Sequence, residues 1–298
     1  MSENALDPRM NAVRADLADV SLRNVVAVER YVDGQNAQLV RTVPIHSRPT
    51  TDSTMISQGI SGEMIKIFEI QGDWAWIQLR RDRYVGYVSA DAVTRSIAFT
   101  THYVNAPTAL VFPKPDLKVP PVGRLFLGSE LCIGGTDNGY VELSGGGFVA
   151  ERCVSPLGTY LEDFVSMAER FAGVPYLWGG KTAVGLDCSG LIQIALQATG
   201  ADCLRDSDMQ MASVGTSLGS SPDLNKLQRG DLVFWKGHVG VMVDAKTLLH
   251  ANAYHMEVTA EPLAEAVARI ALTDTGAITD VRRYSADSLL IGAVGGHG

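Results

Sequence analysis

Residues 176 to 193 read Tyr176-Leu177-Trp178-Gly179-Gly180-Lys181-Thr182-Ala183-Val184-Gly185-Leu186-Asp187-Cys188-Ser189-Gly190-Leu191-Ile192-Gln193. Beyond Cys188, the apolar residues Leu191, Ile194, Ala195 and Ala198 recur at helical spacing and Gly200 supplies a stop. Cys188 is therefore expected at a helix N-terminus. There the unpaired backbone N–H groups and the positive end of the dipole favour a thiolate, and the same groups can hold an oxyanion. A cytosolic cysteine is usually just a small buried hydrophobe. Gly185, Asp187, Ser189 and Gly190 make a polar, tightly turning neighbourhood unsuited to plain packing, so we read Cys188 as a nucleophile.

Downstream, Arg229-Gly230-Asp231-Leu232-Val233-Phe234-Trp235-Lys236-Gly237-His238-Val239-Gly240-Val241-Met242-Val243 reads as two strands joined at Lys236-Gly237, with His238 opening the second. A further strand carries His250 in Leu248-Leu249-His250-Ala251-Asn252. An odd number of residues in the loop around Asp244 to Lys246 would place both imidazoles on one sheet face; a two-residue turn would separate them. In the first geometry His238 takes the proton of Cys188 and His250 fixes the tautomer of His238. His46, His102, His255 and His297 lack such a setting and are read as surface or packing residues.

Two other chemistries fail on spacing. Gly180-Lys181-Thr182 imitates the end of a phosphate-binding loop, but the pattern needs glycine where the chain has Pro175. Cys188, Cys203, His238 and His250 show no paired short spacing of the kind a zinc site uses. No cofactor and no metal are expected.

The chain has 298 residues, 46% of them hydrophobic, which allows two or three packed cores. A net charge of -8 offers no footprint for nucleic acid or an anionic membrane surface, so neither is expected as a partner; a monomeric protein is expected. The first ten residues lack the basic stretch and apolar run of a secretory signal, and no stretch is long enough to span a bilayer, so a cytoplasmic location is expected. Cys132, Cys153 and Cys203 are read as small buried hydrophobes.

Between about residues 24 and 155 lie short strand-like runs, among them Val25-Val26-Ala27-Val28, Met64 to Ile70, Trp74 to Leu79 and Tyr84 to Val88. The pattern recurs: Ile65 to Val88 and Leu125 to Val149 each read strand, turn, strand, then a glycine-containing closing strand. Two small barrels in tandem are expected. After Pro156 apolar residues at Leu161, Phe164, Val165, Ala168 and Phe171 take helical spacing and open a third domain.

Gly72-Asp73-Trp74-Ala75-Trp76-Ile77 followed by Gly86-Tyr87-Val88 resembles the bacterial SH3-like domain, and Tyr176 to Gly180, Leu186 to Leu191, Arg229 to Trp235 and Gly237 to Val241 resemble the NlpC-type branch of papain-like peptidases. The resemblance implies an α+β fold: a papain-like catalytic domain, helices packed on an antiparallel sheet, over residues 157–298. Ahead of it stand an extension over 1–23 and SH3-like barrels over 24–95 and 96–156. It also implies cleavage of the bond between γ-linked D-glutamate and a diamino acid in peptidoglycan stem peptides. Tandem SH3-like domains resemble the branch that trims free peptides with an N-terminal L-alanine. By the same resemblance Tyr176 directs its hydroxyl at the oxyanion, Trp178 walls the pocket, and Asp187 and Ser189 bind the substrate's polar groups. Asp206, in Arg205-Asp206-Ser207, holds the L-alanine amine, and Glu63 and Tyr84 of the first barrel close that end of the site. Competing expectations are a wall-remodelling endopeptidase, an amidase or acyltransferase on the same core, and a wall-binding protein with a decayed catalytic domain.

Overall fold

The computed structural model of the chain describes residues 6–221 and 223–285. The chain divides into two compact units, Met1–Leu157 and Gly158–Gly298. Among the described residues no helix is long and apolar enough to cross a membrane.

The first unit is built on a seven-stranded antiparallel sheet. Its strands lie in the order Met55–Gly59, Val43–His46, Val85–Ser89, Trp74–Leu79, Met64–Gln71, Gln35–Leu39 and Val93–Thr94. The alternation of apolar residues has its expected effect: Ile65, Ile67, Ala75, Ile77 and Leu79 are buried on one side. Fully burying a side chain of this size contributes about 1.5–3 kcal/mol. Gly72, in the left-handed region at φ 56°, lets Gln71 and Trp74 pair across a two-residue turn. Val25-Val26-Ala27-Val28 is not a strand. Val25 and Val26 donate to the Leu22 carbonyl in a turn, which leaves the run no facing strand to pair with. The residues ahead of it pack onto the sheet instead of trailing from it. Leu17 is buried with Phe68, Trp76 and Val85, while Arg14 and Arg30 both bind Glu69.

Residues from Thr101 to Leu157 form three small antiparallel sheets around Val104, Ala109, Leu131, Val141, Val149 and Val154. In the Ile133–Asp137 and Tyr140–Leu143 hairpin, Asn138 and Gly139 both take positive φ, as the Asp-Asn-Gly sequence demands.

The second unit contains a six-stranded antiparallel sheet in the order Thr216–Gly219, Ile278–Arg283, Asp231–Trp235, His238–Met242, Thr247–Asn252 and Glu257–Pro262. Among the described residues four helices accompany it: α1 (Phe164–Glu169), α2 (Cys188–Gln197), α3 (Ser207–Ser213) and α4 (Leu263–Ile270). Helix α1 is shorter than its apolar spacing suggests. Asp163 accepts from the Val165 amide and starts the helix there, while the Leu161 amide bonds the Ala198 carbonyl. Helix α2 lies against the two adjacent strands that carry His238 and His250. Every residue from Cys188 to Leu196 is buried, so α2 is a core helix with no solvent stripe.

Candidate active site

The start of α2 is fastened on all sides. Asp187 occupies the N-cap and its Oδ1 accepts from the Gly190 amide at 2.7 Å. The same carboxylate accepts from the Gly179 amide at 2.8 Å and from both terminal nitrogens of Arg205, at 3.0 and 2.7 Å. Ser189 joins this network, its hydroxyl accepting from Arg205 at 2.9 Å and donating to Asp187 at 3.3 Å. With Asp187, Ser189 and Arg205 all buried and mutually satisfied, the carboxylate and hydroxyl hold the helix start and the 179–187 loop together. The loop lies so close that a Cβ on Gly190 would meet the Gly180 carbonyl oxygen at 2.2 Å. Only glycine fits there.

Cys188 is the first residue of α2 and is 7% exposed. The backbone amides of Val239 and Ser189 point at its sulfur, the first of them adjacent to His238. Burial, and secondarily the charge of Asp187, pushes the thiol up to about 12, against the pull of those two amides. With the proton held on the sulfur by burial, a base that takes it as the sulfur reacts suits this setting.

The two histidines come together as the loop length allows. The loop between the His238–Met242 and Thr247–Asn252 strands has an odd length, because Val241 pairs Leu249 and Met242 pairs Leu248, with Val243 facing Thr247 across Asp244, Ala245 and Lys246. His238 and His250 therefore share a face, diagonally, and His238 Nε2 meets His250 Nδ1 at 2.8 Å. Burial first, then the neighbouring His250, lowers His238 to about 3, so it rests as a neutral imidazole able to accept a proton.

One strand further on comes a residue to which the sequence alone assigned no role. Glu261 lies across from Leu248, on the same face as His250, and its Oε1 is 2.6 Å from His250 Nε2. Arg269, from α4, donates to both oxygens of Glu261 at 2.6 Å and stacks over the Tyr254 ring. Burial alone would raise Glu261, but the hydrogen bonds from Arg269 and His250 outweigh it and hold the carboxyl at about 2. The diagonal pairing that relates the two histidines, applied to the Thr247–Asn252 and Glu257–Pro262 hairpin, would have found it. His255, read as a packing residue, has Nδ1 4.0 Å from the same Oε1.

Of the other residues expected in the site, Tyr176 donates its backbone amide to Met256 and lies within electrostatic reach of Cys188 and Asp187. Burial, then those two charges, pushes its phenol above the ordinary range, which keeps it a neutral O–H donor. Trp178 is 64% exposed. Asp206 is at the N-cap position of α3 and makes no side-chain capping bond there. In the first unit Glu63 accepts from the Ile60 amide at 2.9 Å, and Tyr84 is buried. Their assignment to substrate rests on the family resemblance alone.

Residues 173–275 match the NlpC/P60 family, and residues 45–93 match the bacterial dipeptidyl-peptidase Sh3 domain. The chain is 25% identical over 245 residues to dipeptidyl-peptidase 6 of Lysinibacillus sphaericus, which covers 74% of this chain and 89% of that protein. It is 27% identical over 226 residues to the gamma-D-glutamyl-L-lysine dipeptidyl-peptidase of Bacillus subtilis (strain 168), covering 67% and 73%. The crystal structure of an NlpC/P60 family protein from Bacillus cereus ATCC 10987 superposes with a TM-score of 0.66 at 18% identity, over 84% of this chain and 99% of that one; the likeness is one of fold. Motifs, domain matches and relatives agree that residues 173–275 are an NlpC/P60 cysteine peptidase domain of papain-like fold, and that a bacterial SH3 domain over residues 45–93 precedes it.

Proposed function

We propose that the protein hydrolyses the γ-D-glutamyl–diamino-acid bond of peptidoglycan stem peptides, acting on released peptides that carry a free N-terminal L-alanine. The observation that carries this reading is where its relatives align. Those matched over two thirds or more of the chain are named dipeptidyl-peptidases. A relative named "probable endopeptidase" from Mycobacterium tuberculosis (strain ATCC 25618 / H37Rv) is 33% identical over 115 residues, 38% of this chain and 26% of that protein. The likeness to enzymes that remove two residues from an end thus extends well beyond the peptidase domain. We further read residues 96–156 as a second, divergent SH3-like barrel, and the peptidase unit as helices packed on its sheet.

The reaction uses the groups already described. As the Cys188 sulfur bonds to the scissile carbonyl carbon, its proton passes to His238, whose Nε2 is occupied by His250 and whose Nδ1 is the nitrogen left for this task. The carbonyl oxygen becomes an oxyanion, held by the Tyr176 hydroxyl and backbone N–H at the start of α2. Collapse of this intermediate breaks the C–N bond, and the departing amine takes the proton from His238. Water then attacks the thioester while His238 accepts its proton, and the thiol is restored. Asp206 is our choice for the carboxylate that receives the substrate's terminal ammonium, and Trp178 for the exposed wall of the pocket.

Mass spectrometry of the protein incubated with L-alanyl-γ-D-glutamyl-diaminopimelate, and separately with its N-acetylated form, tests the proposal. Cleavage of the free-amine peptide alone is expected. Equal cleavage of both would remove the amine requirement and favour a wall-remodelling endopeptidase; cleavage of neither, with turnover of a lipid ester, would favour an acyltransferase.

A further inference from the structure

The peptidase reading requires His238 to present a bare nitrogen to the thiol, and nothing in the pairing of two histidines decides which nitrogen that is. Each imidazole can carry its hydrogen on either nitrogen, and two of the four combinations give the pair a hydrogen bond. One aims a lone pair at Cys188; the other aims an N–H at it.

Resting on that reading of the site, we propose that Glu261 and Arg269 form a neutral clamp that selects the productive combination, making both of them positioning residues for the reaction. The constraint passes inward from the surface. Arg269 always donates, and its two bonds to Glu261 require an ionised carboxylate, which can only accept. His250 Nε2, 2.6 Å from Oε1, must therefore carry a hydrogen. A neutral His250 then has a bare Nδ1, which can only accept from His238 Nε2 across 2.8 Å. His238 Nε2 thus holds that ring's hydrogen, and Nδ1 is left as the base. Each link has one consistent arrangement.

Arg269 has a second consequence. A lone carboxylate beside His250 would draw a second proton onto that ring, and an imidazolium there would turn an N–H toward His238. The guanidinium opposes this. The charged and titratable groups around His250 are His238 on one neighbouring strand, Glu261 on the other, Arg269 on α4 and His255 in the turn between. Only Glu261 favours protonation of His250; Arg269 and His255 oppose it. Removing Arg269 leaves the carboxylate less opposed, so His250 takes its second proton at a higher pH. Base and thiol are then misdirected below that pH and restored above it.

Nitrogen-15 spectra of histidine-labelled protein and the rate of Cys188 alkylation by iodoacetamide, located by peptide mass spectrometry, test the clamp without any substrate. The wild-type spectra are expected to place hydrogen on Nε2 of both rings and none on Nδ1 of His250. Glu261→Met removes the acceptor and should slow alkylation by about 100-fold or more, whereas Glu261→Gln, which keeps a carbonyl oxygen toward His250, should stay within about 10-fold of wild type. Arg269→Met should move the acid limb of the alkylation profile upward by about one pH unit or more. Melting curves recorded alongside establish that each variant is folded, and the wild-type spectrum needs no variant at all. Hydrogen on His250 Nδ1 in the wild type, equal damage from Gln and Met, or an unmoved acid limb in folded Arg269→Met would overturn the proposal. If every result is as expected and no peptide is cleaved, the substrate reading fails and the clamp stands.

Discussion

Two carboxylate–guanidinium pairs serve the candidate site, one at Cys188 and one at His250, and they differ in the depth at which they sit. Asp187–Arg205 is sealed, with side-chain exposures of 11% and 0%, and it bonds the Gly179 and Gly190 amides and the Ser189 hydroxyl, which hold the start of α2. Glu261–Arg269 stands nearer the surface, at 9% and 24%, and one of its oxygens is shared with the His250 imidazole. The same two functional groups therefore do different work. A buried pair bonded to the amides of a helix start fixes a position, while a pair with one bond left for an imidazole fixes a proton.

The largest expected effect calibrates that contrast. Cys188→Ala leaves both pairs untouched, so hydrolysis should vanish while the melting temperature stays near that of the wild type; a variant that keeps turnover would sink the assignment of the nucleophile. Next comes the sealed pair itself. Arg205→Ala strands Asp187 in the interior and should cost roughly 3–5 kcal/mol of stability, read as a fall in urea midpoint. If it melts like the wild type but loses activity, the two pairs are not different in kind. Gly190→Ala probes the same region sterically, since its methyl would meet the Gly180 carbonyl, and a loss of about 1–3 kcal/mol is expected from overpacking. The smallest effect belongs to Glu261 and depends on pH. Its folded value, about 2, lies below its ordinary value of 4.5, so its contribution to stability is complete above about 4.5 and fades as the pH falls toward 2. The gap in melting temperature between wild type and Glu261→Gln should close over that window, and a gap that persists at the acid end would show that the carboxylate's charge is not its source.

Local rules made much of this legible in advance. Cys188 at a helix start followed from the Asp-Cys-Ser-Gly turn and the apolar spacing beyond it, and the hairpin turns at Gly72 and at Asn138-Gly139 followed from residues that accept positive φ. Where local rules misled, a partner was missing or unseen. Val25 to Val28 has the composition of a strand but nothing to pair with, and Tyr160 to Phe171 has the spacing of a longer helix than its Asp163 cap permits. The dipole of a helix end is visible in sequence, whereas the depth at which Cys188 is buried is not.

Residue type and spacing by themselves determined that Cys188 opens a helix and that His238 lies on a strand beside a tight turn, because a helix cap, a two-residue turn and an alternating strand are each decided within a few neighbouring positions. They left open whether His238 and His250 meet, since that hung on a single residue of loop length. Tertiary structure alone decided the rest: the three-residue loop that puts both imidazoles on one face, the union of Asp187 with an arginine 18 positions away, and the arrival of Glu261 and Arg269 behind His250. Those contacts depend on strand register and on burial, which are properties of the packed chain and of no segment taken alone.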